Sequence, residues 1–268
     1  MRFYRDIIAE AHKPIKNPET HYHEWSPQSI KLYWDICTNN PFIQRQFYPI
    51  EYWQDLLAWG AQKIPTTPLT IVDVGCGNGN LIECIAKIYR DAFIYGVDLS
   101  EESLKPAKKR FEKYTNIRFK VGSLDQLPFE NGSIDMVTCT EVLEHTFPET
   151  FNKSFSEIGR VLKKGGYYLA SIPFSEEIAF VCCPGCGSVF TPYQHMVFEI
   201  NHDDISRLLS YNGLGLVDFY QSLDRTQPTN HAKRVLKSII ITWLPSIAKR
   251  IFPKAGVSGF LACNTTKL

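Results

Sequence analysis

The chain has 268 residues, 44% of them apolar, with 29 Lys and Arg against 28 Asp and Glu for a net charge of +1. That length holds one large domain or a domain with an appendage, and the near-neutral charge argues against a nucleic-acid binder, so no DNA partner is expected. No run of about 18 apolar residues predicts a membrane-spanning helix, and Arg5, Asp6, Glu10 and Lys13 interrupt any signal-like start. The eight cysteines are scattered, and Cys76 and Cys139 fall in predicted core strands or turns, which suits a reducing cytoplasm. Residues 1–65 read as a helical layer rich in aromatics: Tyr33, Trp34, Phe42, Phe47, Tyr48, Tyr52 and Trp53. They either pack a layer on a sheet or form a lid or wall of a binding pocket, and both roles are compatible. Ile64-Pro65-Thr66-Thr67-Pro68 then reads as a linker that stops a helix.

Residues 66–268 are expected to form the main domain. Ile71-Val72-Asp73-Val74-Gly75-Cys76-Gly77-Asn78-Gly79 runs from an apolar β-branched strand through an acid into three alternating glycines. Leu81, Ile82, Ile85, Ala86 and Ile88 follow at helical spacing. The pattern predicts a buried parallel strand, a tight turn and a helix start, with glycine letting the backbone approach a ligand closely. A second strand, Phe93–Val97, ends at Asp98, an acid placed to hold ribose hydroxyls. The dinucleotide fingerprint G-x-G-x-x-G competes for this unit, but Asn80 stands where its third glycine belongs. Asp73, two residues before the first glycine, suits an ammonium group better than a pyrophosphate. That favours S-adenosylmethionine, whose amino-acid tail carries no phosphate. Further strands are expected near 117–121, 134–140, 166–172, 214–220 and 257–264, with helices between the first five, implying a doubly wound sheet.

In the order and spacing of these landmarks, the chain resembles the class I S-adenosylmethionine-dependent methyltransferases over roughly residues 65–220. Val121-Gly122-Ser123-Leu124-Asp125-Gln126-Leu127-Pro128-Phe129 is similar to the family's G-D-A-x-x-L-P-F segment. Ser133–Cys139, Thr140–His145 and Leu162–Ala170 resemble the fourth strand, the loop and helix after it, and the turn into the fifth strand. The resemblance implies an α/β fold: a Rossmann-like, seven-stranded, mostly parallel sheet with helices on both faces, plus the N-terminal layer and an inserted Cys-containing loop. It also implies a cofactor site of Asp73, Gly75, Gly77, Gly79 and Asp98, with Leu99 against the adenine. Ser123 stands where an acid often meets the adenine amino group, and Leu124 offers its backbone N–H. The backbone near Cys139 and Thr140 would border the methionine tail. His145 is the candidate general base, because imidazole titrates near neutrality.

The insert at 174–200 carries Cys182-Cys183-Pro184-Gly185-Cys186-Gly187, a knuckle that can aim the Cys183 and Cys186 thiolates at zinc. His195 is its expected third ligand, with Cys182 and His202 candidates to complete the set. A second reading competes for His195. Glu141-x-x-Glu144-His145 would place three ligands on the first turn of one helix. The motif resembles the divalent-metal set of small-RNA 2′-O-methyltransferases and ubiquinone-pathway enzymes. Asn201 or Asp203 is expected to cap a helix through Leu209. Residues 225–256 are basic and amphipathic, and no Asp or Glu occurs from Arg225 to Leu268. This segment either packs on the core or rests on an anionic membrane through residues 232–252. The sequence therefore points to methyl transfer to a small-molecule acceptor, at oxygen, with an anionic or lipid-linked acceptor in view. RNA 2′-O-methylation and a non-catalytic cofactor-binding protein are the alternatives, and the oligomeric state stays open.

Overall fold

The computed structural model describes residues 1–11, 21–40, 50–64, 69–174, 178–191, 194–221 and 258–265. Phe42, Phe47, Tyr48 and the basic segment 225–256 lie outside the described residues. The chain opens with β1 (Arg2–Phe3), α1 (Tyr4–Ala11), β2 (His21–Tyr22), α2 (Pro27–Asn39) and α3 (Ile50–Ala61). The main sheet then alternates with helices: β3 (Thr70–Val74), α4 (Asn80–Ile88), β4 (Phe93–Asp98), α5 (Glu101–Arg110), β5 (Ile117–Val121), β6 (Ile134–Thr140), α6 (Pro148–Val161) and β7 (Leu162–Ile172). Next come β8 (Val181–Cys182), β9 (Ser188–Phe190), β10 (Val197–Phe198), α7 (His202–Tyr211), β11 (Leu214–Gln221) and β12 (Ser258–Asn264).

The seven-stranded sheet has the order β11-β12-β7-β6-β3-β4-β5. β12 pairs antiparallel with both β11 and β7, and the other pairings are parallel. The fifth strand begins at Leu162, four residues before the expected start. Leu162 already pairs with Ile134, and a register shift before Met136 absorbs the Lys163–Gly165 stretch, where Gly165 has φ +76°. What reads as a turn in the sequence is a bulge inside the strand.

Strand alternation divides the interior into two layers. Val72, Val74, Tyr168, Ala170 and Phe260 face α6 and α7 through Phe151, Phe155, Ile158, Ile205 and Leu209. Ile71, Leu169 and Leu261 face the other way, onto Trp53, Leu56 and Leu57 of α3 and Leu81, Ile82 and Ile85 of α4. α3 is thus part of the sheet's own covering layer. Within the first layer Phe3, Phe151, Phe155, Tyr168 and Phe260 form a run of edge-to-face contacts, with centroids 5.3–6.4 Å apart. Such geometry suits the ring quadrupoles.

Local chemistry sets the helix starts. α2 opens on a reciprocal capping box between Ser26 and Ser29, with Pro27 in its first turn. Asn201, not Asp203, caps α7, and the box is closed by Asp204. The insert is ordered against the N-terminus: β1 pairs antiparallel with β10, and β2 pairs parallel with β9, which also pairs with β8. Tyr4 and Ile7 pack on Met196 and Phe198. Among the described residues, no helix is long and apolar enough to cross a membrane.

Phe155 is fully buried at the centre of the aromatic run. Phe155→Ala should therefore destabilise the fold by about 3–5 kcal/mol. In urea unfolding, the midpoint should drop with the m-value unchanged.

Candidate active site

The carboxyl ends of β3, β4 and β6 meet at one edge of the sheet, where ligands of open α/β folds bind. Parallel register sets Asp73 of β3 beside Thr138 of β6. Asp73 is 1% exposed, and Thr138 donates its hydroxyl to Asp73 Oδ1 at 2.7 Å. Asp73 Oδ2 is buried with no hydrogen-bond partner among the described residues. Burial pushes the Asp73 carboxyl up to about 7, against the lowering effect of Thr138, and the charge of Asp98 raises it further. A buried carboxylate with one unused oxygen is a receptor for a cationic group. The ammonium of an amino-acid tail fits it.

The glycine turn follows. Gly75, Gly77 and Gly79 have φ of +72°, +49° and +81°. At Gly75 a side chain is doubly excluded, because a Cβ would also lie 2.2 Å from Val142 Cγ2. The turn therefore lies directly against the loop after β6. Asp98, at the end of β4, accepts from the Gly77 amide and the Ser100 amide, each at 2.9 Å. Burial raises its carboxyl, and those amides oppose the rise. The next side chain, Leu99, is 51% exposed at the mouth. Ser123 donates its hydroxyl to Asp125, so an acid stands two residues beyond the position where one was missed. Leu124 is buried, with its side chain in the core.

α2 lies over this region. Ser100 donates to Asp35 of α2, and Thr38 shares a hydrogen bond of 2.9 Å with Ser103. The aromatic side chains of α2 form an edge-to-face series with their neighbours. Trp25 packs on Tyr33, Tyr33 on Trp34, and Trp34 on His145 with centroids 4.7 Å apart.

The loop after β6 departs from the expected helix turn. Leu143–His145 is a short 3₁₀ turn, and Glu141 sits before it in the left-handed region at φ 54°. Glu141 accepts a hydrogen bond from the Ser171 hydroxyl at 3.0 Å. It does not join Glu144 and His145, because the left-handed residue breaks the i, i+3 spacing that a continuous helix would supply. His195 comes from the insert in its place: ligand atoms of Glu144, His145 and His195 lie within 4.8 Å of one another. Glu144 has no solvent exposure, and the His145 and His195 rings are 4.9 Å apart. Buried Cys139 lies by this cluster, its thiol raised by burial first and then by the charges of Glu144 and Asp73. Thr140 ends β6 beside Ser171 of β7.

The expected partnership of His195 with Cys183 and Cys186 is overturned. β10 pairs with β1 and draws His195 into the interior, 5% exposed, whereas Cys186 is exposed on the β8–β9 hairpin. His202 packs on Phe219 and Phe174, with centroids 4.1 and 4.8 Å away, and does not complete the knuckle. Cys183 retains a thiol lowered by the backbone amides of Gly185 and Cys186 and by the Cys186 side chain. Thr138, Asp35 and Gln194 went unrecognised in the sequence. Thr138 was visible as a polar residue inside an apolar strand, whereas Asp35 and Gln194 act across long sequence separations and left no local signal.

Asp73 makes stability and binding depend on pH in opposite senses. Its folded value exceeds the ordinary 3.8, so the folded chain holds a proton that the unfolded chain releases between 3.8 and about 7. Stability of the free protein should fall as pH rises through that window, and affinity for S-adenosylmethionine should rise. Asp73→Asn should flatten both profiles in thermal melts and calorimetry. Asp98→Ala should weaken cofactor binding ~10- to 100-fold, the equivalent of about 1.5–3 kcal/mol for hydrogen bonds to a charged group. Unchanged calorimetric affinity would remove Asp98 from the ribose site.

Residues 71–166 match the family described as Methyltransferase domain. A malonyl-(acyl-carrier protein) O-methyltransferase of Herminiimonas arsenicoxydans is 34% identical over 44% of this chain and 43% of that protein. A ubiquinone biosynthesis O-methyltransferase of Thiobacillus denitrificans is 33% identical over 43% of this chain and 49% of that protein. The chain spans about half the length of the curated relatives it matches. Among solved structures, a 1,6-didemethyltoxoflavin-N1-methyltransferase of Burkholderia thailandensis superposes with a TM-score of 0.62 at 12% identity. The match covers 92% of this chain and 94% of that one, whose structure holds 1,6-didemethyltoxoflavin and S-adenosylhomocysteine. The matched segment carries the strand–glycine turn–helix unit, Asp73 and Asp98, and residues 71–166 of this chain are a methyltransferase domain of the class I, S-adenosylmethionine-dependent type.

Proposed function

We propose that the protein methylates a hydroxyl oxygen of a small molecule. The observation that carries this reading is the adjacency of two chemistries at one sheet edge. One is a buried carboxylate with an unused oxygen, Asp73; the other is an imidazole pair, His145 and His195, beside Glu144. Two of the chain's relatives, both named O-methyltransferases, support the choice of oxygen. When bound, S-adenosylmethionine supplies a methyl group activated by its sulfonium. Asp73 would hold the ammonium, Asp98 the ribose hydroxyls, and the glycine turn would let the backbone pass close. His145 would take the hydroxyl proton, making the acceptor oxygen a better nucleophile. Residues 27–39 would form the lid, with Trp34 excluding water from the acceptor side. The basic stretch 225–256, known from the sequence alone, supports an anionic or lipid-linked acceptor and membrane contact through residues 232–252.

A divalent ion at Glu144, His145 and His195 is a second reading, favoured by the convergence of their ligand atoms. One carboxylate and two imidazoles suit manganese, zinc or a similar ion, and a cation offsets the burial of a carboxylate. The knuckle Cys183 and Cys186 would be a separate zinc half-site.

Incubating the full chain with S-adenosylmethionine and a metabolite extract should produce S-adenosylhomocysteine and one acceptor heavier by a methylene. His145→Ala should slow this by about 10²- to 10⁴-fold and leave cofactor binding intact. Product from purified RNA alone would favour the RNA alternative, and cofactor binding with no product from any fraction would favour a non-catalytic protein. Elemental analysis divides the metal readings. Metal lost in Glu144→Gln belongs to the buried cluster, and metal lost in Cys183→Ser belongs to the knuckle. Metal-free protein whose activity ignores added manganese and zinc would exclude both.

A further inference from the structure

Gln194 is a buried residue in a backbone conformation that side chains rarely adopt. It is 1% exposed, with φ +60°. A non-glycine residue held in the left-handed region carries strain that the surrounding contacts must overcome, and such positions concentrate at functional sites. Here the contacts converge on His145. The Gln194 side chain donates from Nε2 to the His145 carbonyl at 3.0 Å and accepts at Oε1 from Trp34 Nε1 at 3.1 Å. The Gln194 amide donates to the Thr191 carbonyl at 3.3 Å, and the Thr191 hydroxyl donates to the His195 carbonyl at 2.9 Å. On the far side of His195, the Met196 amide donates to the Glu144 carbonyl at 2.6 Å.

The left-handed turn leaves the Gln194 carbonyl 3.4 Å from His145 Nδ1. A carbonyl can only accept, so Nδ1 bears the proton and donates. In a neutral imidazole the other nitrogen, Nε2, then carries the lone pair. Nε2 lies 3.8 Å from Glu144 Oε1, on the side where Glu144 and His195 converge.

We infer that Gln194 is a positioning residue: through its strained backbone carbonyl and its side-chain amide it locks His145 in the Nδ1–H tautomer, and through Trp34 it ties that lock to the lid helix α2. This rests on the reading of His145 as the group that faces the acceptor. It adds that the lone pair His145 offers, to a hydroxyl proton or to a metal, is set by a residue of the insert. The lid and the base are thereby linked through one side chain. Reorienting α2 changes the partner of Gln194 Oε1, and with it the restraint on the imidazole.

The tautomer can be read without cofactor, acceptor or turnover. Long-range proton–nitrogen correlation spectra of the full chain with nitrogen-15-labelled histidine show which ring nitrogen is protonated. They are recorded over a series of rising pH, with His145→Gln identifying the signals. The wild-type ring should be protonated at Nδ1. Gln194→Leu should shift it toward a mixture with Nε2–H. Trp34→Phe, which keeps the ring but removes the N–H donor, should shift it in the same direction by less. Calorimetric affinity for S-adenosylmethionine should be unchanged in both variants, and kcat for S-adenosylhomocysteine formation should fall about 10-fold. Protonation of the wild-type ring at Nε2 overturns the inference, as does a ring that stays wholly Nδ1–H in folded Gln194→Leu. If that variant does not fold, an unshifted ring in Trp34→Phe overturns it. If the ring behaves as expected and no product forms, the methyl-transfer reading fails and the positioning role stands.

Discussion

The structure is organised around one buried carboxylate. Asp73 sits in a central parallel strand, flanked by β4 and β6, where an unpaired charge is costly. Thr138 satisfies one oxygen from the neighbouring strand, in a register set by the sheet itself. The second oxygen has no hydrogen-bond partner among the described residues. A group whose value is pushed to about 7 by burial is poised between protonated and ionised, so the free protein tolerates it. The glycine turn, the close approach of Val142 and the placement of Asp98 are arranged around this acid at the same edge of the sheet.

The second organising feature is the interlock of distant segments. The N-terminal segment and the insert exchange two short strand pairings, β1 with β10 and β2 with β9, and share a small apolar cluster. α2 docks on the loop after β4 through Asp35, on α5 through Thr38, and on the loop after β6 through Trp34. The glycine-turn side and the Glu144–His145–His195 side of the sheet edge are therefore bridged by one helix.

Much of the donor half was legible in the sequence, because its signals are local. Val72, Val74 and Ile71 alternate between faces as a buried strand must, the glycines break the strand within a few residues of Asp73, and Asp98 closes the next strand. Periodicity and turn chemistry act over a handful of residues, so order and spacing suffice to place the strand, the turn, the helix and the two acids, Asp73 and Asp98. The sheet order and the antiparallel return of β12 fit the expected seven-stranded class.

The grouping of the histidines was decided by tertiary structure. In the sequence, Glu141, Glu144 and His145 look like one helical face and His195 looks like a companion of Cys183 and Cys186. Left-handed backbone at Glu141 dissolves the first grouping, and the pairing of β10 with β1 removes His195 from the second. The tautomer of His145 depends on Gln194, 49 residues away, and on Trp34, 160 residues from Gln194. The sequence by itself determined the fold class and the strand–turn–helix unit that carries Asp73, because those follow from short-range sterics and hydrophobic periodicity. Only the tertiary structure decided which histidines meet and which nitrogen His145 presents. Those depend on long-range strand pairing and on backbone strain, which leave no mark in local residue order.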